Sequence, residues 1–300
     1  MTYALKASVA VGNTPIPILY SNGSIWVSNT GAASVSRIDP ATNTVTATIT
    51  SAGVLTSPRA LAEDQFGNVW VACFDQYSGS VSRIDPATNT ITASIYTADG
   101  IQPIGLGMGA GEMWASFAVA GGVYERFDTT TLASTFGSGS GLGAIYNFVD
   151  DGTNVWFDIG TSCNKVDPAT NTITSITSGI VSGTYGFLHY AFGYLWRSTG
   201  SGIQRVNPST NALTTITLGG QNYGGITDDG TDLIVADING EIFVVDPTSF
   251  AVKQQLSSSD FYTGATFGSG SIWANTYTSP GACKRFSPIG VGWVRGHAWG

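Results

Sequence analysis

Residues 23–49 read GSIWVSNTGAASVSRIDPATNTVTATI, and this stretch is the unit from which most of the chain is built. It contains three short segments rich in β-branched and aromatic residues, IWVSN, SVSRID and TVTATI, separated by a Gly/Ala loop and by Asp-Pro-Ala-Thr-Asn. Such segments predict β-strands joined by turns. The same text returns at residues 67–95 and, more weakly, at residues 152–176. The chain therefore contains an internal repeat, and its period decides the fold.

Two markers fix the period of the repeat. The first is an aromatic residue of the IWV-type segment, replaced once by isoleucine: Trp26, Trp70, Trp114, Trp156, Trp196, Ile234 and Trp273. The second is the turn residue before the last strand: Asp39, Asp85, Asp128, Asp167, Asn207, Asp246 and, in a degenerate copy, Ser287. Both markers give seven copies of about 40 residues, which is the length of one four-stranded propeller blade. The sequence therefore predicts an all-β protein, a seven-bladed β-propeller.

The two ends of the chain complete this arrangement. We letter the strands of each blade a to d from the axis outward, so that the Trp strand is strand b. The last copy stops after strand c, at residues 282–287, whereas the chain begins with an unmatched alternating segment, ALKASVAVG, at residues 4–12. We expect this segment to be strand d of the seventh blade, which closes the ring and removes two open sheet edges. The propeller then spans residues 1–288, and residues 289–300 form a short C-terminal tail.

The RIDPATNTVTATI text at residues 37–49 resembles the YVTN-type β-propeller repeat, and the blade layout is similar to that of the virginiamycin B lyase and NHL-like propellers. The resemblance covers roughly residues 4–288 and implies the fold. It implies little about activity, because such repeats occur in proteins with many unrelated roles. The lyase-like propellers carry a histidine and acidic or metal-binding residues at the channel mouth. His189 lies within a predicted strand a, away from that mouth, so no catalytic residue is carried over.

Composition narrows the functional class. Only 11% of the residues are charged, against about 25% in ordinary globular proteins. A surface of Ser, Thr, Asn and Gly is typical of secreted proteins, virion proteins and adhesins. The net charge of −8 without a Lys/Arg cluster argues against nucleic acid, and no apolar run approaches the ~18 residues of a membrane span. Because the N-terminus does not resemble a signal peptide, we expect a virion or extracellular location, as for a phage protein released by lysis.

Residues that recur in most blades are expected to hold the fold together. The Trp series should pack between adjacent blades. Basic residues two positions before the turn residue predict packed stems and Arg–Asp pairs: Arg37, Arg83, Arg126, Lys165, Arg205 and Arg285. Three carboxylate pairs fall in a–b turns, where hairpin chemistry is favoured over acid/base catalysis or metal binding: Glu63–Asp64, Asp150–Asp151 and Asp228–Asp229. Cys73, Cys163 and Cys283 are predicted to be core residues without a disulfide.

The two ends of a propeller differ in what they can bind. The a–b and c–d turns, here short and uniform, form what we call the turn end. The b–c loops and d–a connections, which are long, variable and aromatic, form the loop end. Loop variability favours the loop end as the binding face. Tyrosine faces and carboxylates suit sugars or a polar protein partner, and they predict these ligand-binding residues, although ordinary loop residues remain the alternative: Asp75, Tyr77, Tyr185, Tyr223, Asp237, Asp260, Tyr262 and Tyr277.

The C-terminal tail contains two tryptophans, an arginine and a histidine within ten residues. Exposed Trp side chains usually mark an interaction site. Trp293, Arg295 and Trp299 are therefore predicted to bind a neighbouring subunit, and the alternative is that the tail folds back on its own propeller.

These observations favour a non-enzymatic recognition or structural module of a phage particle, which binds a host-surface carbohydrate or protein and contacts other virion subunits through its tail. We expect no catalytic residue, metal or cofactor. Two alternatives stay open. One is a propeller lyase or hydrolase with a divalent metal at the channel mouth, and the other is a secreted bacterial adhesin.

Overall fold

The computed structural model describes residues 1–75, 79–96, 102–118, 121–183, 187–219 and 223–289. It contains seven four-stranded antiparallel sheets, and in each sheet neighbouring strands in space are neighbours along the chain, apart from the N-terminal strand. The protein is an all-β, seven-bladed β-propeller, as predicted. Among the described residues, no helix is long and apolar enough to cross a membrane.

The strands follow the repeat. In blade 1, strands a to d are Pro15–Ser21, Ser24–Asn29, Ser34–Asp39 and Thr44–Thr50. In blade 2 they are Pro58–Glu63, Val69–Cys73, Ser80–Asp85 and Thr90–Tyr96. In blade 3 they are Pro103–Gly109, Glu112–Phe117, Gly121–Phe127 and Ser134–Leu142. In blade 4, strands a to d are Phe148–Asp150, Val155–Asp158, Cys163–Asp167 and Thr172–Ile176. In blade 5 they are Leu188–Ala191, Tyr194–Ser198, Gly202–Val206 and Leu213–Thr217. In blade 6 they are Tyr223–Asp228, Leu233–Asp237, Glu241–Val245 and Val252–Ser257. A short 3-10 helix, Thr30–Ala32, lies in the first b–c loop.

The seventh blade joins the two ends of the chain. Its strands a to c are Tyr262–Gly268, Ser271–Thr276 and Gly281–Pro288, and its outermost strand is Tyr3–Val11. This N-terminal strand pairs antiparallel with strand c, from Tyr3 opposite Pro288 to Val11 opposite Gly281. The predicted pairing of residues 4–12 with residues 282–287 is therefore present in this sheet.

The hydrophobic core consists of clusters between consecutive blades. Trp26 packs with Val69 and Val71 of the second blade, and Trp273 packs with Ile25 and Val27 of the first. The six tryptophans of the repeat are all fully buried. Burying a ring of this size contributes roughly 2–3 kcal/mol, so the prediction that the Trp series holds the blades together is confirmed.

The basic series contributes to the same contacts between consecutive blades, which we call seams, but not through Arg–Asp pairs. Arg37 lies 5.1 Å from the Trp26 ring centroid, and its guanidinium donates to the Pro86 carbonyl at 2.5 Å and to Asn89 Oδ1 at 2.9 Å. Arg285 bonds Asn43 of the first blade in the same way, at 3.0 Å. The predicted Arg–Asp pairing is wrong for these two residues. The Asp39 side chain serves its own turn, where the amide of Ala41 donates to Asp39 Oδ1 at 2.8 Å.

The three cysteines are free and buried. Burial raises the pKa of the Cys73 thiol to about 12, and it raises the pKa of Cys163 and Cys283 as well. All three thiols are therefore unreactive core groups at neutral pH.

Candidate functional site

The loop end is assembled by main-chain hydrogen bonds between b–c loops and d–a connections. The amide of Thr30 donates to the Thr14 carbonyl at 3.1 Å, and that of Ser258 donates to the Gly240 carbonyl at 2.8 Å. The amide of Tyr277, in the b–c loop of blade 7, donates to the Phe261 carbonyl of the preceding connection at 2.8 Å. The two kinds of segment therefore lie at one end of the propeller and form a common surface.

Among the described residues of these loops and connections, Phe261 and Tyr277 are exposed aromatic residues. Phe261 is 55% exposed and Tyr277 is 52% exposed. They belong to segments that are directly hydrogen-bonded to each other, and we call these two residues the Phe261–Tyr277 patch. Tyr277 was predicted as a ligand-binding residue, whereas Phe261 was not.

Tyr262 does not belong to this patch. It is the first residue of strand a in blade 7, it is 1% exposed, and its ring packs edge-on against Phe286 at a centroid distance of 6.3 Å. Burial raises the pKa of the Tyr262 hydroxyl. Its prediction as a ligand-binding residue is wrong, because the alternation of the strand turns the side chain into the seam between blades 6 and 7.

Asp260 lies beside the patch and carries a paired charge. Its carboxylate contacts the Lys284 ammonium and accepts a hydrogen bond from the Ser258 hydroxyl at 2.5 Å. The Lys284 contact, followed by the Ser258 bond, lowers the pKa of Asp260. The carboxylate remains one quarter exposed, so a ligand on the patch could still reach it.

The other carboxylates predicted for the loop end are less available. Asp237 is fully buried, and its Oδ1 accepts a hydrogen bond from the Asn239 amide within its own loop, so its prediction as a ligand-binding residue is wrong. Asp75 is partly exposed and adjoins residues 76–78, which lie outside the described residues.

Asp158, the last residue of strand b in blade 4, is part of a buried ion pair. The Arg197 guanidinium donates to its two carboxylate oxygens, from Nε at 2.5 Å and from Nη2 at 3.1 Å. Both side chains are fully buried. The remaining three guanidinium hydrogens bond Gln204 Oε1 at 2.6 Å, the Val181 carbonyl at 2.8 Å and the Gly160 carbonyl at 3.1 Å. Because every donor is used within the protein, this network joins blades 4 and 5 and is not a ligand site.

Several predicted residues lie outside the described part of the chain. Tyr77 and Tyr185 fall there, as do Trp293, Arg295 and Trp299 of the tail. For Tyr223 the structure describes the strand, Tyr223–Asp228, but not the side chain. A further aromatic contact, not predicted, places the Arg59 guanidinium 5.0 Å from the Phe74 ring centroid at the loop end of blade 2.

Strands a of blades 5 and 6 carry a polar pair that was not predicted. His189 Nε2 lies 2.7 Å from Asp228 Oδ2, which joins the innermost strands of blades 5 and 6. The hydrogen bond from His189 is the main cause that lowers the pKa of Asp228.

The carboxylate pairs of the a–b turns mainly serve the turns, as predicted. Asp151 Oδ1 accepts the amides of Thr153 and Asn154 at 2.9 and 2.8 Å. Asp150 Oδ1 accepts the amide of Gly152 at 2.7 Å. Within the described ranges, no group of three His, Cys, Asp or Glu side chains is placed to hold a metal ion.

The comparisons with known proteins agree with this class of fold. No protein-family model and no curated protein matches the sequence. Among solved structures, the chain is similar to virginiamycin B lyase from Staphylococcus aureus, with a TM-score of 0.80, 16% identity, and coverage of 96% of this chain and 100% of that one. A catalytically inactive variant of that lyase with quinupristin gives the same values. Hydrazine synthase from Kuenenia stuttgartiensis matches with a TM-score of 0.71 and 15% identity, over 91% and 96% of the two chains. At these identities the similarity shows the propeller fold alone.

Proposed function

We propose that this chain is a non-enzymatic recognition module of a virion, whose loop end binds a carbohydrate or protein of the host surface. The observation that carries the proposal is the Phe261–Tyr277 patch. Two rings that are each more than half exposed lie on hydrogen-bonded neighbouring segments, beside a carboxylate and an ammonium group.

The chemistry of the patch fits a polyhydroxylated ligand. Flat aromatic faces stack on the apolar faces of sugar rings, while the exposed part of Asp260 accepts hydroxyl hydrogen bonds and the Tyr277 hydroxyl can donate or accept. Exposed rings add little to stability, and neighbouring exposed apolar side chains are typical of interaction sites. The low content of charged residues also fits a surface that works outside the cell.

The turn end supplies a matched control for the test. Phe66 and Phe192 are also exposed, at 64% and 38%, but they occupy a–b turns of blades 2 and 5 and are not neighbours. The double variant Phe261→Ala/Tyr277→Ala and the control Phe66→Ala/Phe192→Ala are applied to a glycan array and to a panel of intact bacterial cells. The proposal predicts that only the loop-end variant loses binding. Equal binding by both variants, or loss in the control alone, would contradict it.

A second candidate function rests on the His189–Asp228 pair. A carboxylate-bound imidazole can act as a general acid or base, and this pair would support a lyase or hydrolase. The test is incubation with quinupristin, the compound held by one of the similar structures, followed by mass spectrometry. Turnover that disappears in His189→Gln would favour the enzyme over the recognition module. Elemental analysis of the purified protein would show whether a divalent metal accompanies it.

A further inference from the structure

The seam between blades 6 and 7 is built differently from the others. Ile234 stands where the other blades have a buried tryptophan, and Val244, opposite it on strand c, stands where they have an arginine or lysine. In the Trp26 seam, the cation bonds the c–d turn of the next blade. Blade 7 has no such turn, because its strands c and d come from opposite ends of the chain. The cation therefore has no acceptor here, which accounts for the valine.

We propose that Tyr3, on the N-terminal strand, takes the place of the missing tryptophan and makes this strand a strap that locks the 6–7 seam. Tyr3 is 1% exposed, and it belongs to the core cluster that contains Ile234, Ile272 and Phe286. Its ring fills the space left when the marker residue is an isoleucine.

The hydrogen bond of the Tyr3 hydroxyl matches that of the tryptophan it replaces. In blade 4, Asp151 Oδ1 accepts two amides of its own turn, and its Oδ2 accepts the Trp156 indole N–H at 2.6 Å. In blade 6, Asp229 Oδ1 accepts the amides of Thr231 and Asp232 at 2.9 and 2.7 Å. Its Oδ2 accepts the Tyr3 hydroxyl at 2.6 Å.

The positions correspond along the chain as well. Asp229 precedes Ile234 by five residues, as Asp151 precedes Trp156. The same acceptor in the same turn thus receives an indole donor in blade 4 and a phenol donor from a distant strand in blade 6. An ordinary core tyrosine would have no reason to share this acceptor.

The strap is also tied to blade 6 by its main chain. The Tyr3 amide donates to Gln254 Oε1 at 2.7 Å, and Gln254 Nε2 donates to the Tyr3 carbonyl at 2.7 Å. Gln254 belongs to the outermost strand of blade 6, Val252–Ser257. The N-terminal strand therefore pairs with strand c of blade 7 and is hydrogen-bonded to strand d of blade 6. One element thus stabilises both the sheet of blade 7 and the seam between blades 6 and 7.

A rescue experiment tests the replacement. Tyr3→Ala should lower the melting temperature by roughly 5–10 °C, because a buried ring is lost. Ile234→Trp alone should also lower it, because the new ring collides with Tyr3. The double variant Tyr3→Ala/Ile234→Trp should regain more than half of the melting temperature lost in Tyr3→Ala, because the indole can fill the space and bond Asp229. A double variant that melts at or below the less stable single variant would overturn the proposal.

A second pair of variants keeps the ring and tests the hydroxyl. Tyr3→Phe and Asp229→Asn remove the two partners of one bond, so their shifts in urea midpoint should be clearly less than additive. The matched control combines Tyr3→Phe with Asp151→Asn, which should be additive. Additive shifts in both pairs would show that Tyr3 does not act through Asp229, and the proposal would fail.

Discussion

The turn end and the loop end are formed by the same seven blades, yet they differ in how regularly their side-chain contacts recur. At the turn end the same chemistry recurs: Ala41 donates to Asp39, and Ala87 donates to Asp85, both at 2.8 Å. At the loop end each connection is different, and it contains both the buried Arg197–Asp158 pair and the exposed Phe261–Tyr277 patch.

This difference shows that the residues that build a blade and the residues that bind a ligand must be recognised by different criteria. Recurrence identifies residues that build the blade, but lack of recurrence does not by itself identify residues that bind. Among the described residues, the Arg197–Asp158 pair occurs in one place, and it is structural, since both side chains are fully buried. Only unique residues that are also exposed are candidates for recognition, and Phe261 and Tyr277 satisfy both conditions.

The largest effect is expected from breaking the buried pair at the loop end. Arg197→Leu leaves the Asp158 carboxylate buried without its partner, so the free energy of unfolding should fall by about 3–5 kcal/mol. The measurement is urea unfolding followed by tryptophan fluorescence. The control is Arg59→Leu, at an exposed position of the same end, which should change stability by no more than about 0.5 kcal/mol. Similar effects of the two substitutions would mean that the network is not structural.

A smaller loss is expected from the inter-blade cations near the turn end. Arg285→Ala removes the hydrogen bond to Asn43 and the packing of the side chain on Trp273. The unfolding free energy should decrease by about 1–3 kcal/mol. Lys6, exposed on the outer strand, provides the comparison, and Lys6→Ala should be nearly neutral in the same assay. A neutral Arg285→Ala would show that the basic series does not fasten the blades.

Acid should weaken the turn end through its carboxylates. Backbone amide hydrogen bonds lower the pKa of Asp128 and Asp167. A folded-state pKa below the unfolded one gives stability that is present above the unfolded value and lost as the pH falls through the folded value. The urea midpoint should therefore fall as the pH drops below about 4.

Asparagine in the same turn shows how to remove this dependence. In blade 5, Asn207 Oδ1 accepts the amides of Ser209 and Thr210 at 2.9 and 3.0 Å. Asp128→Asn/Asp167→Asn should thus keep the turns and reduce the difference in urea midpoint between pH 7 and pH 3. If the difference stays at its original size, these two turns do not contribute to the acid sensitivity.

The smallest effect on stability is expected at the patch itself. Phe261→Ala/Tyr277→Ala should change the free energy of unfolding by about 0.5 kcal/mol or less, because both rings are more than half exposed. Calorimetry of the double variant checks this expectation. A loss of several kcal/mol would mean that the patch belongs to the core and would remove it from the candidate binding surface.

The sequence predicted the architecture well because each blade repeats the same local signals. Trp markers, Asp-Pro turns and alternating strands appear several times, so an error in one blade is corrected by the others. Reliance on the repeat also explains which contacts were missed. The contacts of His189 with Asp228 and of Arg197 with Asp158 each occur in one blade pair, so the repeat does not predict them.

Two errors in the predicted site could have been avoided by using the repeat position more strictly. Asp237 ends strand b, and the residues at that position in other blades, Asn29, Cys73 and Phe117, are all buried. Tyr262 begins strand a, where blades 2 and 3 have the buried Pro58 and Pro103. Both residues were assigned to loops by composition, although the repeat places them in strands.

The central claim is that recognition occurs at the loop end, and oriented immobilisation tests it most directly. The native thiols are buried, so a single exposed cysteine can be coupled selectively to a surface. Ala87→Cys lies in a c–d turn at the turn end, and Asn239→Cys lies in the b–c loop of blade 6 at the loop end. The protein coupled through Ala87→Cys should capture the glycans or cells that the free protein binds, whereas coupling through Asn239→Cys should block capture. Capture in the reverse orientation would contradict the claim.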